Sequence, residues 1–176
     1  MKLSDIDWFR FQEITNAICH KCFCWIESEY SDRIICAFGV EGGIEEGLVY
    51  ISANTETHRN RDNQKWMADW SLRCLDEAIP KNACVEMIRE ISDQIASIEY
   101  GENALEVYSD LKLRFRVAAL QALRDAYEHV HQCSFSKNPN FDLIYMDEEG
   151  DYLIDGKEAI IKEISNLKRM IENKTR

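Results

Sequence analysis

The sequence predicts an α+β protein: a small, mainly antiparallel sheet, made of a hairpin plus a late strand, packed with several long helices. Three observations carry that expectation. Two short β-branched apolar runs, "RIICAFGV" (33–40) and "LVYISA" (48–53), flank the Gly-rich "EGGIEEG" at 41–47, which is hairpin chemistry. Longer stretches on either side repeat apolar residues at helical spacing. Only 2 Pro and 7 Gly occur among 176 residues, so few breakers interrupt those helices.

Taken in order, Ser4 with Asp5 and Asp7 supplies an N-cap and an acidic first turn. Ile6, Phe9, Ile14, Ala17 and Ile18 then define a helix from about residue 5 into the low twenties, passing into extended chain near "CFCWIES". The strand pair follows. The polar run "SANTETHRNRDNQ" beyond it reads as a hinge, with Asn54 or Thr55 able to cap a helix and a short helix or ordered loop over 56–64. Trp66 and Trp70 form an i, i+4 pair that shares a buried cluster with Met67 and Leu75.

Pro80 breaks the chain and Asn82 can cap the next helix, whose stripe is Val85, Ile88, Ile91, Ile95 and Ile98. Gly101 ends it. The longest helical candidate, "ALEVYSDLKLRFRVAALQALRDAYEHVHQC", sets Leu105, Tyr108, Leu111, Phe115, Ala119, Ala122 and Ala126 along one side. Its small residues Ala118, Ala119 and Ala122 admit close approach of another element. "SKNPN" (136–140) reads as a loop. "FDLIYMDEEGDYLI" reads as a third strand ending in an acidic turn, and "DGKEAIIKEISNLKRMIENKTR" as an amphipathic last helix with a basic end. Without repeats, low-complexity tracts or linkers, one domain over 1–176 is expected.

Composition narrows the function. An apolar fraction of 45% excludes a disordered chain. The net charge is −11, and the basic residues are scattered, which disfavours direct nucleic-acid binding. No apolar run approaches a membrane span. Seven cysteines, an odd number, with no secretory leader point to reduced thiols in a cytoplasmic protein.

No run carries a specific catalytic motif. Cys19, His20, Cys22 and Cys24 in "CHKCFC" are zinc-compatible donors, but a closed zinc site draws on a second, distant pair, and no second Cys-x-x-Cys exists. Packed cysteines on a helix are the simpler reading. His129 and His131, at i, i+2, point to different faces. A Cys133–His131 dyad is conceivable, yet seven cysteines make such coincidences common. "DEEGDYLID" lacks the order of a calcium loop, and the glycines from Gly39 to Gly47 follow no phosphate-binding pattern. No catalytic residue, metal site or cofactor is therefore expected.

Acidity is concentrated in two tracts. Between Asp76 and Asp110 nine carboxylates face only Lys81 and Arg89, and between Asp142 and Glu158 seven face only Lys157. On one surface they would form a docking patch for a cationic protein. On opposite surfaces they would serve solubility.

The order "RIICAFGVE", "LVYISANTE", "KWMADW", then the late "FDLIYMDEEGDY" and "AII", resembles an uncharacterised bacterial domain family. "SANTE" and the pair Trp66 and Trp70 are its distinctive parts. That family resembles immunity proteins of polymorphic or contact-dependent growth inhibition toxin systems. The resemblance implies a non-enzymatic, stoichiometric inhibitor of a cognate toxin domain, itself expected to be a basic nuclease. The carboxylates expected to meet that partner are Glu45, Glu46, Asp147, Glu148, Glu149, Asp151 and Asp155. The alternatives are a small cytosolic enzyme with a Cys, His or carboxylate site, or a structural or regulatory dimer.

Overall fold

The computed structural model describes residues 1–59, 70–79, 83–130, 132–148, 150 and 152–174. Its organising element is the hairpin. β1 (Ile35–Gly43) and β2 (Leu48–Thr55) pair antiparallel, with Val40 opposite Ile51 and Glu41 opposite Tyr50. β3 (Lys137–Asp147) lies parallel to β1 on its other side, and β4 (Leu153–Asp155) returns antiparallel to β3. The sheet order is β2-β1-β3-β4, mostly antiparallel, so the α+β expectation holds.

Residues 136–140 correct one expectation. They read as a loop, yet β3 begins at Lys137. Between Ile35 and Ala37 the partner strand advances from Lys137 to Asp142, so the surplus residues bulge out of the ladder. Pro139 sits in that bulge, where a missing N–H costs no ladder bond. The Asn138 side chain accepts the Asn140 N–H at 2.8 Å, so the turn chemistry is real but embedded in a strand.

The first helix corrects another. α1 (Trp8–Glu29) is continuous, because Phe23 and Ile26 extend the buried stripe of Phe11, Ile14, Ile18, Cys19 and Cys22 through "CFCWIES". Asp7 caps it by accepting the Arg10 N–H at 2.9 Å. The remaining helices are α2 (Glu56–Arg59), α3 (Leu75–Ala78), α4 (Ala83–Ala96), α5 (Ala104–Val130) and α6 (Lys157–Lys174). On α5 the buried side starts at Leu111; Leu105, expected on it, is 89% exposed.

α1 and α5 lie side by side and run in the same sense. Phe11 meets Phe115 at 4.9 Å between ring centroids, Asn16 donates to the Ala122 carbonyl, and His20 sits 4.1 Å from His129. The alanines at 118, 119 and 122 are buried at this contact, as their size suggested.

Strand alternation divides the sheet residues between two faces. Phe38, Val40, Val49, Ile51, Leu143 and Tyr145 join the main core under the helices. Cys36, Ala37 and Met146 face the other way and are covered by Trp70. Leu75 belongs to the main core, so Trp70 and Leu75 do not share a cluster as expected; Trp66 and Met67 lie outside the described residues. No helix among the described residues is long and apolar enough to cross a membrane.

Candidate functional site

The outer face of the sheet ends in carboxylates. Glu41 stands opposite Tyr50 on β2 and Met146 on β3. Glu148 follows Met146 at i+2 and so continues the same face. The turn then brings in Glu46. A Cβ on Gly43 would lie 3.2 Å from both the Glu148 and the Glu46 carboxylate and 3.4 Å from the Tyr50 ring. The absence of that Cβ lets these three side chains converge.

The electrostatics follow the convergence. Burial raises the Tyr50 phenol, and Glu148, Glu46, Glu77 and Asp76 raise it further, in that order. Burial also raises Glu41, Glu148 adds to the effect, and Arg73 opposes it. Carboxylates from the hairpin turn, the segment after β3 and α3 thus act on Tyr50, and Glu148 acts on Glu41 of β1 as well. Asp76 and Glu77 come from the first acidic tract and Glu148 from the second.

Not all of the charge gathers there. Glu90 pairs with Arg10 at 3.2 Å and Asp110 with Lys174 at 2.7 Å, away from the turn. Of the residues expected to meet a partner, Glu45 and Glu46 are exposed on the turn and Glu148 is exposed beside them. The Tyr108 hydroxyl donates to Glu45 at 3.0 Å, and Ser92 donates to the Glu46 carbonyl, so α5 and α4 clasp the turn. Asp155 is exposed on β4 opposite Ile144, back along the sheet from this end. Glu149 and Asp151 lie outside the described residues.

Asp147 needs a correction. It is 3% exposed, and its side chain turns inward to the Arg116 guanidinium, which donates through Nε at 3.1 Å and through Nη2. The Tyr145 hydroxyl donates to its other oxygen at 2.9 Å. A carboxylate committed to these donors holds the helix layer to the sheet and is not part of an exposed docking face.

The residues that composition grouped only as a charge tract include the most unusual one. Asp76, in α3, is 4% exposed, and its Oδ1 accepts the Ile51 N–H at 2.8 Å. Burial outweighs the backbone N–H bonds it accepts, Glu77 adds like charge, and its carboxyl is pushed up to about 6. β2 is an edge strand, and this carboxylate covers its outer N–H. The next outward residue, Ala53, exchanges two backbone bonds with Leu72. Ser52 then accepts the Cys74 N–H, and Ser71 accepts the Thr55 N–H. The start of the polar run, 52–55, thus belongs to β2 and is buried; residues 60–69, over which most of the hinge was expected, lie outside the described residues.

Asp76 lies in the wall of a cavity of about 370 Å³ between the β2 edge, α3 and α4. Ile18, Val49, Ile79 and Ile88 form its apolar walls, and Tyr50, Glu77, Glu86 and Arg89 its polar rim. No local signal in "RCLDEA" told that this aspartate would be buried against a strand 25 residues away.

The cysteine-rich run is divided by the α1 surface. Cys19 and Cys22 are buried, and Cys24 is exposed. Burial raises the Cys19 thiol, and Asp76 raises it further. Among the described residues no group of three His, Cys, Asp or Glu is arranged to hold a metal ion. His131 lies outside them, so the Cys133–His131 arrangement does too.

Comparison with protein-family models, curated proteins and solved structures finds no match to this chain.

Proposed function

We propose that this α+β protein is a stoichiometric inhibitor, an immunity protein that binds and neutralises a cognate, cationic bacterial toxin domain of the nuclease type. The observation that carries the reading is the meeting of Glu46 and Glu148 at Gly43 beside Tyr50, with Glu41 opposite Tyr50 on the ladder and Glu77 and Asp76 adding like charge. Like charges held this close repel one another, and a partner bringing positive charge relieves the repulsion. Such a face also speeds encounter with a basic protein. A basic nuclease presents cations where it grips phosphate, and an acidic face can occlude that surface. The resemblance carried by "SANTE" and the tryptophans points the same way.

The test is co-expression with the toxin domain encoded beside this chain. Growth should be restored, and a 1:1 complex should co-purify and lose association rate as salt rises. Unrescued growth with no complex rejects the proposal.

A second reading draws on Asp76. A buried carboxyl with a raised pKa in the wall of a cavity suits acid–base catalysis. The two readings separate by titration: an inhibitor neutralises its target with a sharp equivalence point, whereas an enzyme acts well below one equivalent.

A further inference from the structure

We infer that the cavity between the β2 edge, α3 and α4 receives an arginine side chain of the cationic partner, with Asp76 as its buried counter-charge. This rests on the binding reading above and names the chemistry by which the partner is held. Three features select arginine. The walls formed by Ile18, Val49, Ile79 and Ile88 suit an alkyl stem, which sheds water as it enters. The Tyr50 ring at the rim offers a face on which a planar guanidinium stacks. Asp76 offers a carboxylate beneath, and a guanidinium brings donors in a fixed fork that matches it.

The strand edge fixes the counter-charge in place. Ala53 directs both its N–H and its C=O outward to Leu72, and Ile51 directs its N–H outward to Asp76. The period of two puts the backbone of Val49 on that same edge, and Val49 lines the cavity. An arginine therefore meets the Asp76 carboxylate in a pocket of side-chain size. Arginine in a desolvated pocket is also the kind of contact that dominates interface energy.

The continuity with the outer face matters as much. Tyr50 feels Glu148 and Glu46 of the outer face as well as Glu77 and Asp76 of the cavity. Surface carboxylates steer the partner, and the cavity holds it. Arg89 also lines the cavity and competes with an incoming guanidinium. The titratable groups around Asp76 are Cys19 of α1, Tyr50 of β2, Cys74 before α3, Glu77 of α3, and Glu86 and Arg89 of α4. With its carboxyl at about 6, Asp76 changes charge as pH falls from 7.5 to 5.

The experiment is a titration of the full chain with a nona-arginine peptide, read by backbone amide NMR shifts, with nona-lysine alongside. Shifts should centre on Val49, Tyr50, Ile51, Asp76 and Ile88, and arginine should bind more tightly than lysine. Asp76→Asn should weaken binding by about tenfold at pH 7.5. Lowering the pH to 5 should weaken the wild type similarly and weaken Asp76→Asn less. Arg89→Ala, at an exposed position, should bind more tightly. Shifts confined to Glu45, Glu46 and Glu148, or equal binding by wild type and Asp76→Asn, would overturn the inference. Because the peptide is not the toxin, this result and the co-expression result can fail independently of each other.

Discussion

Asp147 and Glu148 are adjacent in the chain, yet their carboxylates serve opposite faces of the sheet. Asp147 turns inward to Arg116 and Tyr145, while Glu148 stands exposed beside Gly43 and Glu46. Strand alternation alone produces the division. It separates a carboxylate that holds the fold from one available to a partner, and substitutions at the two should behave differently.

Asp147→Ala strands a half-buried guanidinium and a buried phenol, and should cost about 3 kcal/mol. Glu148→Gln removes an exposed charge from a like-charged group and should change stability by less than about 0.5 kcal/mol. Urea unfolding of both variants, compared by midpoint at constant slope, checks the contrast. Equal midpoints would show that the inward and outward assignments are mistaken.

Asp76 should stabilise the protein when its charge is removed. Its carboxyl lies at about 6 in the fold against 3.8 for the free group, so the folded state holds the proton more tightly. Stability therefore falls as pH rises from 3.8 to 6, and the cost persists above that window. Asp76→Asn can still accept the Ile51 N–H, and should gain up to about 3 kcal/mol at pH 7.5. It should gain little at pH 3.5. Unfolding measured at both pH values tests the difference, and a destabilised variant at pH 7.5 would contradict it.

Gly42 and Gly43 should tolerate a methyl group unequally. A Cβ on Gly42 would lie 2.6 Å from the Tyr145 hydroxyl and 2.7 Å from the Phe115 ring, both buried. Gly42→Ala should cost about 1–3 kcal/mol through overpacking. At Gly43 the nearest atoms are ends of exposed carboxylate side chains, which can swing aside. Gly43→Ala should stay within about 1 kcal/mol of wild type and lower the Tyr50 pKa by spreading the charges. Thermal unfolding and an ultraviolet titration of tyrosine read the two effects.

His20 supplies a second pH dependence of opposite sign. Burial lowers its pKa from 6.5, and His129 across the helix contact lowers it further. The unfolded chain then takes up the proton first, so stability falls as pH drops below 6.5 through the lower folded value. His129→Gln should move the His20 titration upward, toward 6.5, in an NMR pH series. No movement would mean that His129 does not act on His20.

The hairpin was legible in the sequence because its apolar runs, glycines and turn all agree locally. α4 and α5 were legible from their stripes, with Ile88, Ile91 and Ile95 all buried as the spacing required, although α4 ends at Ala96 and not at Gly101. Failures came where distant partners override local chemistry. Pro139 argued for a loop, and the bulge against Ile35–Ala37 absorbed it. "CFCWIES" lacked a helical signature, yet packing on distant elements, with the Phe23 ring 4.5 Å from that of Phe38 on β1, buries Phe23 and Ile26. The acidic turn at Glu45 and Glu46 was recognisable, but composition cannot tell an inward Asp147 from an outward Glu148 without the strand register. Asp76 was hidden most completely, since its partner is the backbone of Ile51.

The central claim is that the carboxylates around Tyr50 receive a cationic protein. Stopped-flow association with the proposed cognate toxin domain, for wild type and a Glu46→Lys/Glu148→Lys variant across a salt series, tests it most directly. The wild-type rate should fall steeply as salt rises, and the variant should associate at least about tenfold more slowly at low salt with a flattened salt dependence. Equal rates for the two proteins at every salt concentration would contradict the claim.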